Sequence, residues 1–252
     1  MKQYFAGTFG FTRMMKRALI NFAFRLFVFF CILGIYITHK EALYEFMTHE
    51  FTFGISERDI SPLHVLWFIF MIMMLQHIIP HKELSMAYKK GDIREYIPVD
   101  HERINLLEFV QRMNVRAWQV MLVWLSFNAI FALLYLFKVI DAGDMLMLTV
   151  FFYLCDYICI LIFCPFQTFI MKSKCCINCR IYDWGYFMMF TPMLFIRNFF
   201  SWSLFFTALI ILIKWEITYS KHPERFWEGS NKHLQCGSCN EKLCVIKKKP
   251  KE

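Results

Sequence analysis

The sequence predicts an all-α fold: a polytopic membrane helical bundle with four spanning helices, a re-entrant hairpin (or a fifth span) and a small Cys-rich cytoplasmic tail. Three observations support this class. Of the 252 residues, 58% are hydrophobic, whereas ordinary soluble domains are about 45–50% apolar. The apolar residues lie in runs near the roughly 20 residues that cross a 30 Å hydrocarbon core. Basic residues and cysteines collect between and after these runs.

Four apolar segments are predicted to span the membrane, at 18–38, 63–79, 117–137 and 145–163. Pro80 ends the second, and the fourth could continue past Pro165 to Met171. The residues before the first segment are basic. The apolar run that follows is long enough to span, and no small-residue cleavage pattern closes it. We therefore interpret it as a retained helix rather than a signal peptide.

Lysine and arginine counts alternate between the connecting segments, which predicts the orientation. There are four before the first span, two in the next loop, seven in the loop 80–116, one in the loop 138–144 and three in 172–180. Cytoplasmic loops carry the excess of Lys and Arg. The N-terminus, the long loop and the first cysteine cluster are therefore predicted to be cytoplasmic, in an integral plasma (inner) membrane protein.

The last apolar segment, 187–213, has two features that argue against a single span. Arg197 near its middle would cost about 2.5–3.5 kcal/mol on insertion scales, and Pro192 breaks its first half. A hairpin with its turn at Arg197-Asn198 returns the chain to the cytoplasm, together with a tail that has nine Lys and Arg residues. The alternatives are a tilted fifth span, or an interfacial first half with a short spanning second half. We expect a membrane domain, 1–213, and a basic tail, 214–252, that packs with the loop 172–186.

Two cysteine clusters flank this last segment, and each contains a C-x-x-C pair. Paired cysteines of this kind can supply the four thiolates of a closed tetrahedral zinc site. The predicted ligands are Cys176, Cys179, Cys236 and Cys239, with Cys175, Cys244 and His233 as alternates. An iron–sulfur cluster is the alternative cofactor, although the closely spaced cysteine runs typical of ferredoxins are missing. The thiols could also remain without a shared ion.

Three ionisable residues are predicted within the apolar segments. Asp156 lies deep in the fourth span, and an intramembrane carboxylate is a functional-site hypothesis by default. Arg25 in the first span and Arg197 in the hairpin are its possible partners. The alternative is a structural ion pair that fixes helix packing, or an Arg25 side chain that reaches to the membrane surface.

The segment 1–140 is similar in layout to the permease subunit of ABC-type exporters. It has a basic amphipathic start, two spans, a cytoplasmic loop containing Ile97-Pro98-Val99-Asp100, and further spans. The cysteine clusters depart from that family, and a full sixth span is hard to find. We also expect a helix that begins near Arg103 and runs into the third span.

Our leading functional expectation is a non-enzymatic subunit of a membrane export or envelope-assembly complex, with a cytoplasmic zinc site. The expected partners are the lipid bilayer and another protein. The net charge of +8 is explained by basic residues beside membrane helices, and no soluble basic domain is long enough for nucleic-acid binding. One alternative is a membrane redox or lipid-modifying enzyme that uses Asp156 or the cysteine clusters. A further alternative is an ABC-exporter-like permease subunit.

Overall fold

A computed structural model describes residues 12–41, 62–78, 90, 96–239 and 247, with the side chains of 62–65 excluded. All regular structure in this part of the chain is helical. The α-helices are α1 (Arg13–Thr38), α2 (Pro62–Ile78), α3 (Arg103–Leu136), α4 (Ala142–Leu161), α5 (Gly185–Phe190) and α6 (Phe199–Lys221). The predicted all-α class is confirmed.

Four of these helices are long and apolar enough to cross a membrane: α1, α3, α4 and α6. They support a membrane protein, and three of them, α1, α3 and α4, correspond to predicted spans. The second predicted span, 63–79, corresponds to α2, a shorter apolar helix of 17 residues. The remaining long helix, α6, continues to Lys221, beyond the predicted end of the last apolar segment at 213.

Local signals at the helix ends agree with several predicted boundaries. The third helix begins at Arg103, as expected, after the N-cap residue Glu102. At the start of α4, Asp141 and Asp144 form a reciprocal capping box. That helix ends at Leu161 and does not continue through Pro165, contrary to the longer alternative. A separate π-helical segment, Phe166–Met171, follows instead.

Side-chain contacts show that α1 and α4 run antiparallel. Asn21 Nδ2 donates to Tyr157 Oη near the start of α1 (2.9 Å). Tyr36 Oη donates to Asp144 Oδ1 near its end. The α1 start and the α4 end therefore share one end of the bundle.

Helices α2 and α6 run parallel. Trp67 Nε1 donates to Ser203 Oγ (2.7 Å), and Lys214 Nζ donates to the Ile78 carbonyl. Arg180 connects α3 with α6. Its guanidinium donates to the Met113 carbonyl on α3 and forms an ion pair with Glu216 on α6. We call the end where α1 and α3 begin, and where α2, α4 and α6 finish, the tail end. On the predicted orientation it is cytoplasmic.

The chain before α6 forms a descending arm made of a 3₁₀-helix (Arg180–Trp184), α5 and a second 3₁₀-helix (Thr191–Phe195). The arm is antiparallel to α6. Trp215 Nε1 donates to the Arg180 carbonyl (2.8 Å), and Trp202 Nε1 donates to the Leu194 carbonyl (3.1 Å). Thirteen residues of α6 separate these contacts, about 20 Å. The chain thus enters and returns at the tail end, although its depth in a bilayer stays a prediction.

The tail after α6 folds back onto the tail end of the bundle. Phe226 packs edge-on against Trp215 and Tyr219, with ring centroids 4.9 and 5.0 Å apart. Residues Pro98 and Asn231 form an isolated antiparallel bridge that joins the tail to the segment before α3. These contacts bring the second cysteine cluster to the same end as the first, whereas the division of the chain into two domains stays a prediction.

Candidate functional site

A cavity of about 490 Å³ lies between α1, α2, α4 and the descending arm. It extends from Met14, at the start of α1, to Arg25, a length of about 16 Å along the helix. All four walls contribute polar side chains, which are Arg17, Asn21, Arg25, Gln76, His77, Asp156, Tyr157, Tyr182, Asp183 and Tyr186. The bundle therefore contains a half-open cavity, lined by both polar and apolar side chains, and two of its walls, α1 and α4, are long and apolar enough to span a membrane.

Arg25 and Asp156 form an ion pair at the deep end of this cavity. Arg25 Nη1 lies 2.8 Å from Asp156 Oδ2 and 2.6 Å from the Tyr153 carbonyl oxygen, to which it also donates. The guanidinium lies over the rings of Tyr153 and Tyr157, 4.1 and 4.2 Å from their centroids. These cation–π contacts hold the arginine in place. Arg25 is buried, so its charge is paired inside the bundle with Asp156.

Gly185, the first residue of α5, leaves the space that the Asp156 carboxylate occupies. A Cβ at this position would lie 2.8 Å from Asp156 Oδ1. Real Cβ atoms are almost never found at that distance from another heavy atom. The descending arm can therefore approach α4 closely only because position 185 has no side chain.

Asp183 adds a second carboxylate to the cavity, on the 3₁₀-helix that precedes α5. Burial raises the pKa of this carboxyl group, while the neighbouring His77 lowers it. The His77 ring packs edge-on against Tyr186, with centroids 5.0 Å apart. Its Nδ1 atom is buried and has no hydrogen-bond partner among the described residues. Sequence reasoning missed this pair, because Asp183 follows no helical periodicity and lies in a predicted loop.

Arg197, the third predicted intramembrane residue, is exposed at the turn between the descending arm and α6. It lies at the end of the bundle opposite the tail end, whereas Arg25 reaches Asp156 from α1. Of the two predicted partners, the structure brings only Arg25 to Asp156. Any functional role of this ion pair stays a prediction.

The first cysteine cluster lies at the tail end, where two lysine ammonium groups approach it. Lys90 Nζ donates to the Cys179 carbonyl (2.8 Å). Lys247 Nζ lies 3.2 Å from Cys176 Sγ, and that thiol donates to Gln167 Oε1 (3.3 Å). Burial raises the pKa of Cys176, and it raises the pKa of Cys179 to about 11. A metal would therefore have to displace protons from these thiols.

The second cluster lies on and beside the 3₁₀-helix Cys236–Ser238. Cys236 is exposed, while Cys239 and Cys175 of the first cluster each pack against the same group of buried apolar side chains, which are Met15, Leu161, Ile177 and Leu234. Both cysteine clusters therefore lie beside one small apolar core.

A complete metal site is not assembled in the part of the chain that the structure describes. Within it, no three Cys, His, Asp or Glu side chains converge in a way that could hold an ion. His233 lies on the 3₁₀-helix Lys232–Leu234, and the alternate ligand Cys244 lies outside the described residues. The predicted zinc ligands, and the iron–sulfur alternative, stay predictions.

The arrangement that is complete is the cavity, which offers hydrogen-bond donors, acceptors and charges of both signs to a small polar molecule. Its size falls within the range of about 300–1,000 Å³ that is usual for ligand pockets. No protein-family model matches the chain, and no curated protein or solved structure matches it.

Proposed function

We propose that this chain is a non-enzymatic membrane transport subunit that holds a small polar solute in the cavity between α1, α2, α4 and the descending arm. The observation that carries this proposal is a charged cavity inside a bundle of membrane-length helices. Ionisable residues within membrane segments are costly, and they typically mark substrate and ion pathways.

The Arg25–Asp156 pair organises the deep end of this site. The two charges compensate each other, so a solute there would meet oriented hydrogen-bonding groups rather than one unbalanced charge. The shallower lining, which includes Asn21 and Gln76, reaches the tail end. Solute would enter from that side, and the descending arm, which forms one wall, would be re-entrant from residue 187 onward. Irregular backbone of this kind is tolerated at membrane depth when it lines a cavity.

A water-soluble, charged thiol reagent tests this cavity. Asn21→Cys and Met73→Cys place new thiols in its lining, whereas Phe24→Cys places one on the neighbouring outer surface of α1, where the side chain is 59% exposed. Labelling is read peptide by peptide by mass spectrometry, so that the native cysteines can remain. We expect fast labelling at 21 and 73 and slow labelling at 24. Equal rates at all three positions, or none at 21 and 73, would contradict the proposal.

A partner in an export or envelope-assembly complex is supported by the first turns of α3. Residues 103–112 project about 15 Å beyond Met113, which lies at the level of Arg180 at the tail end. Ile104 and Leu107 on this projection are 68% and 57% exposed. Apolar side chains of this kind suit a protein contact.

Chemical cross-linking in native membranes, followed by purification of the chain, tests this partner. We expect an ATPase or an assembly protein to be recovered with the wild type, and less of it with Ile104→Glu. Val139→Glu, just beyond the opposite end of α3 and 67% exposed, serves as the control. Equal recovery with both variants would exclude this surface as the contact.

The cysteine clusters support a second candidate function, in which zinc fastens the tail to the bundle. This idea is favoured by the shared packing of Cys175 and Cys239. Elemental analysis of purified wild type should find about one zinc per chain, as one four-cysteine site requires. The double variant Cys176→Ser/Cys236→Ser should lose it, and Cys31→Ser on α1 should keep it. Iron with a visible absorption band would favour the cluster alternative, and a metal-free wild type would rule out both.

A further inference from the structure

We propose that Asp183 binds and releases a proton inside the cavity, so that its protonation is linked to occupation of the site. This inference rests on the proposed function, because it assigns a coupling residue to the same cavity. Two carboxylates, those of Asp156 and Asp183, line this cavity, and their surroundings differ.

The negative charge of the Asp156 carboxylate is compensated by the Arg25 guanidinium. The Asp156 Oδ2 atom accepts from Arg25 Nη1 at 2.8 Å, and the guanidinium is held by a carbonyl and two aromatic rings. Arg25 therefore supplies the positive charge that compensates the Asp156 carboxylate.

No described residue donates a hydrogen bond to the Asp183 side chain, although several charged and titratable groups face it. These are His77 from α2, Asp156 from α4, Lys214 from α6, and Lys90 from the segment before α3. Both lysines are hydrogen-bonded elsewhere: Lys90 Nζ to the Cys179 carbonyl and Lys214 Nζ to the Ile78 carbonyl. The remaining anion, Asp156, opposes a second negative charge in the same cavity.

The two carboxylates that line the cavity differ in their surroundings, because Asp156 is paired with an arginine and Asp183 is not. Desolvation disfavours the ionised form of the unpaired member, and burial accordingly raises the pKa of Asp183. The proton has an exchange path, because Asp183 lines the cavity that reaches the tail end. His77 also lines the cavity, and its Nδ1 atom has no hydrogen-bond partner among the described residues.

Infrared difference spectroscopy of the full chain in lipid vesicles, titrated between acidic and alkaline pH, tests this inference. We expect the wild type to show a carboxylic-acid C=O band that shifts in D₂O, disappears as the pH is raised, and persists to a higher pH than the band of an ordinary aspartate. Asp183→Asn should remove the band, while Asp100→Asn, an exposed control outside the cavity, should retain it. Asp183→Glu should retain a band at a shifted frequency, which separates loss of the carboxyl group from loss of the fold.

A band that survives in Asp183→Asn, or a wild type with no band, would overturn the inference. The labelling experiment on Asn21→Cys separates this failure from failure of the transport proposal. Normal labelling at position 21 without the infrared band would support the cavity and contradict proton binding by Asp183. The infrared band without labelling would support proton binding by Asp183 and contradict the solute pathway.

Discussion

Gly185 and Asp156 are complementary in shape: the missing side chain of the glycine is the space that the aspartate carboxylate fills. A Cβ at position 185 would lie 2.8 Å from Asp156 Oδ1 and 3.5 Å from its Cγ. Because the carboxylate is also held by Arg25, it cannot turn away without losing that ion pair. The closest approach of the descending arm to α4 therefore depends on one glycine.

The variant Gly185→Ala should consequently be destabilised, by about 1–3 kcal/mol, as is usual for overpacking. Gly34→Ala on α1 is the matched control, since a Cβ there meets nothing within 4 Å. In a helix interior this control change should stabilise by about 0.5–1 kcal/mol. Thermal unfolding of the two variants in detergent measures the difference in their stability. Equal melting temperatures would show that position 185 can accommodate a side chain.

Removal of one member of the Arg25–Asp156 pair should be costly, because the remaining charge is left uncompensated. The Arg25 side chain is 7% exposed and that of Asp156 is 29% exposed. We therefore expect Asp156→Asn, which strands the more buried charge, to cost about 3–5 kcal/mol and Arg25→Met to cost less. The double variant Arg25→Met/Asp156→Leu should recover most of the loss.

Lys174→Met serves as the control for the Arg25–Asp156 prediction. It removes an ion pair with Glu228 whose lysine is 71% exposed, and it should change stability by no more than about 1 kcal/mol. Thermal unfolding in the same detergent provides the comparison. If the single variants in the cavity cost no more than this control, the pair is solvated rather than enclosed.

Asp183→Asn should stabilise the protein at neutral pH and reduce the dependence of its stability on pH. Burial raises the pKa of the native carboxyl group above its value in the unfolded chain, 3.8. Between these two values the folded state binds more protons, so stability falls as pH rises through that window. The asparagine variant cannot be charged and should show a flatter curve. Asp100→Asn, on the exposed surface, should leave the curve unchanged.

Phe226→Ala should release the tail. The phenylalanine is 2% exposed, and its ring packs against Trp215 and Tyr219 of α6. Truncation of a buried phenylalanine typically costs about 3–5 kcal/mol. Limited trypsin digestion should therefore cut at Lys232 faster than in the wild type. Phe206→Ala, a truncation at a position 48% exposed on the same helix, should leave the rate unchanged.

Features that depend on neighbouring residues were predictable from the sequence. The start of α3 at Arg103 follows a Pro-Val-Asp stretch that cannot continue a helix backwards. The chain turns at Arg197-Asn198, and the Asn198 side chain accepts from the Phe200 backbone N–H (3.1 Å) at the α6 N-cap. Re-entry of this hairpin into a membrane stays a prediction. Caps and turns are local, so one sequence is sufficient to find them.

Features that depend on distant packing were only partly predictable. Asp156 was identified because a carboxylate in an apolar run needs a partner, but the choice between Arg25 and Arg197 required the α1–α4 contact. Asp183 and His77 gave no signal, since a loop residue and the last turn of a short helix meet only in the folded bundle. The pairing of the tail with the segment before α3 is equally non-local.

The parallel contacts of α2 and α6 have a mechanical consequence. Trp67 with Ser203, Met71 with Thr207, and Ile78 with Lys214 are all separated by 136 residues, so the two helices share one axial register. An axial slide of α6 would break all three contacts at once unless α2 travelled with it. The α2–α6 pair therefore forms one unit. The contacts of Trp215 and Trp202 with the descending arm tie this unit to the segment that carries Asp183, so His77 and Asp183 are held at fixed levels relative to each other.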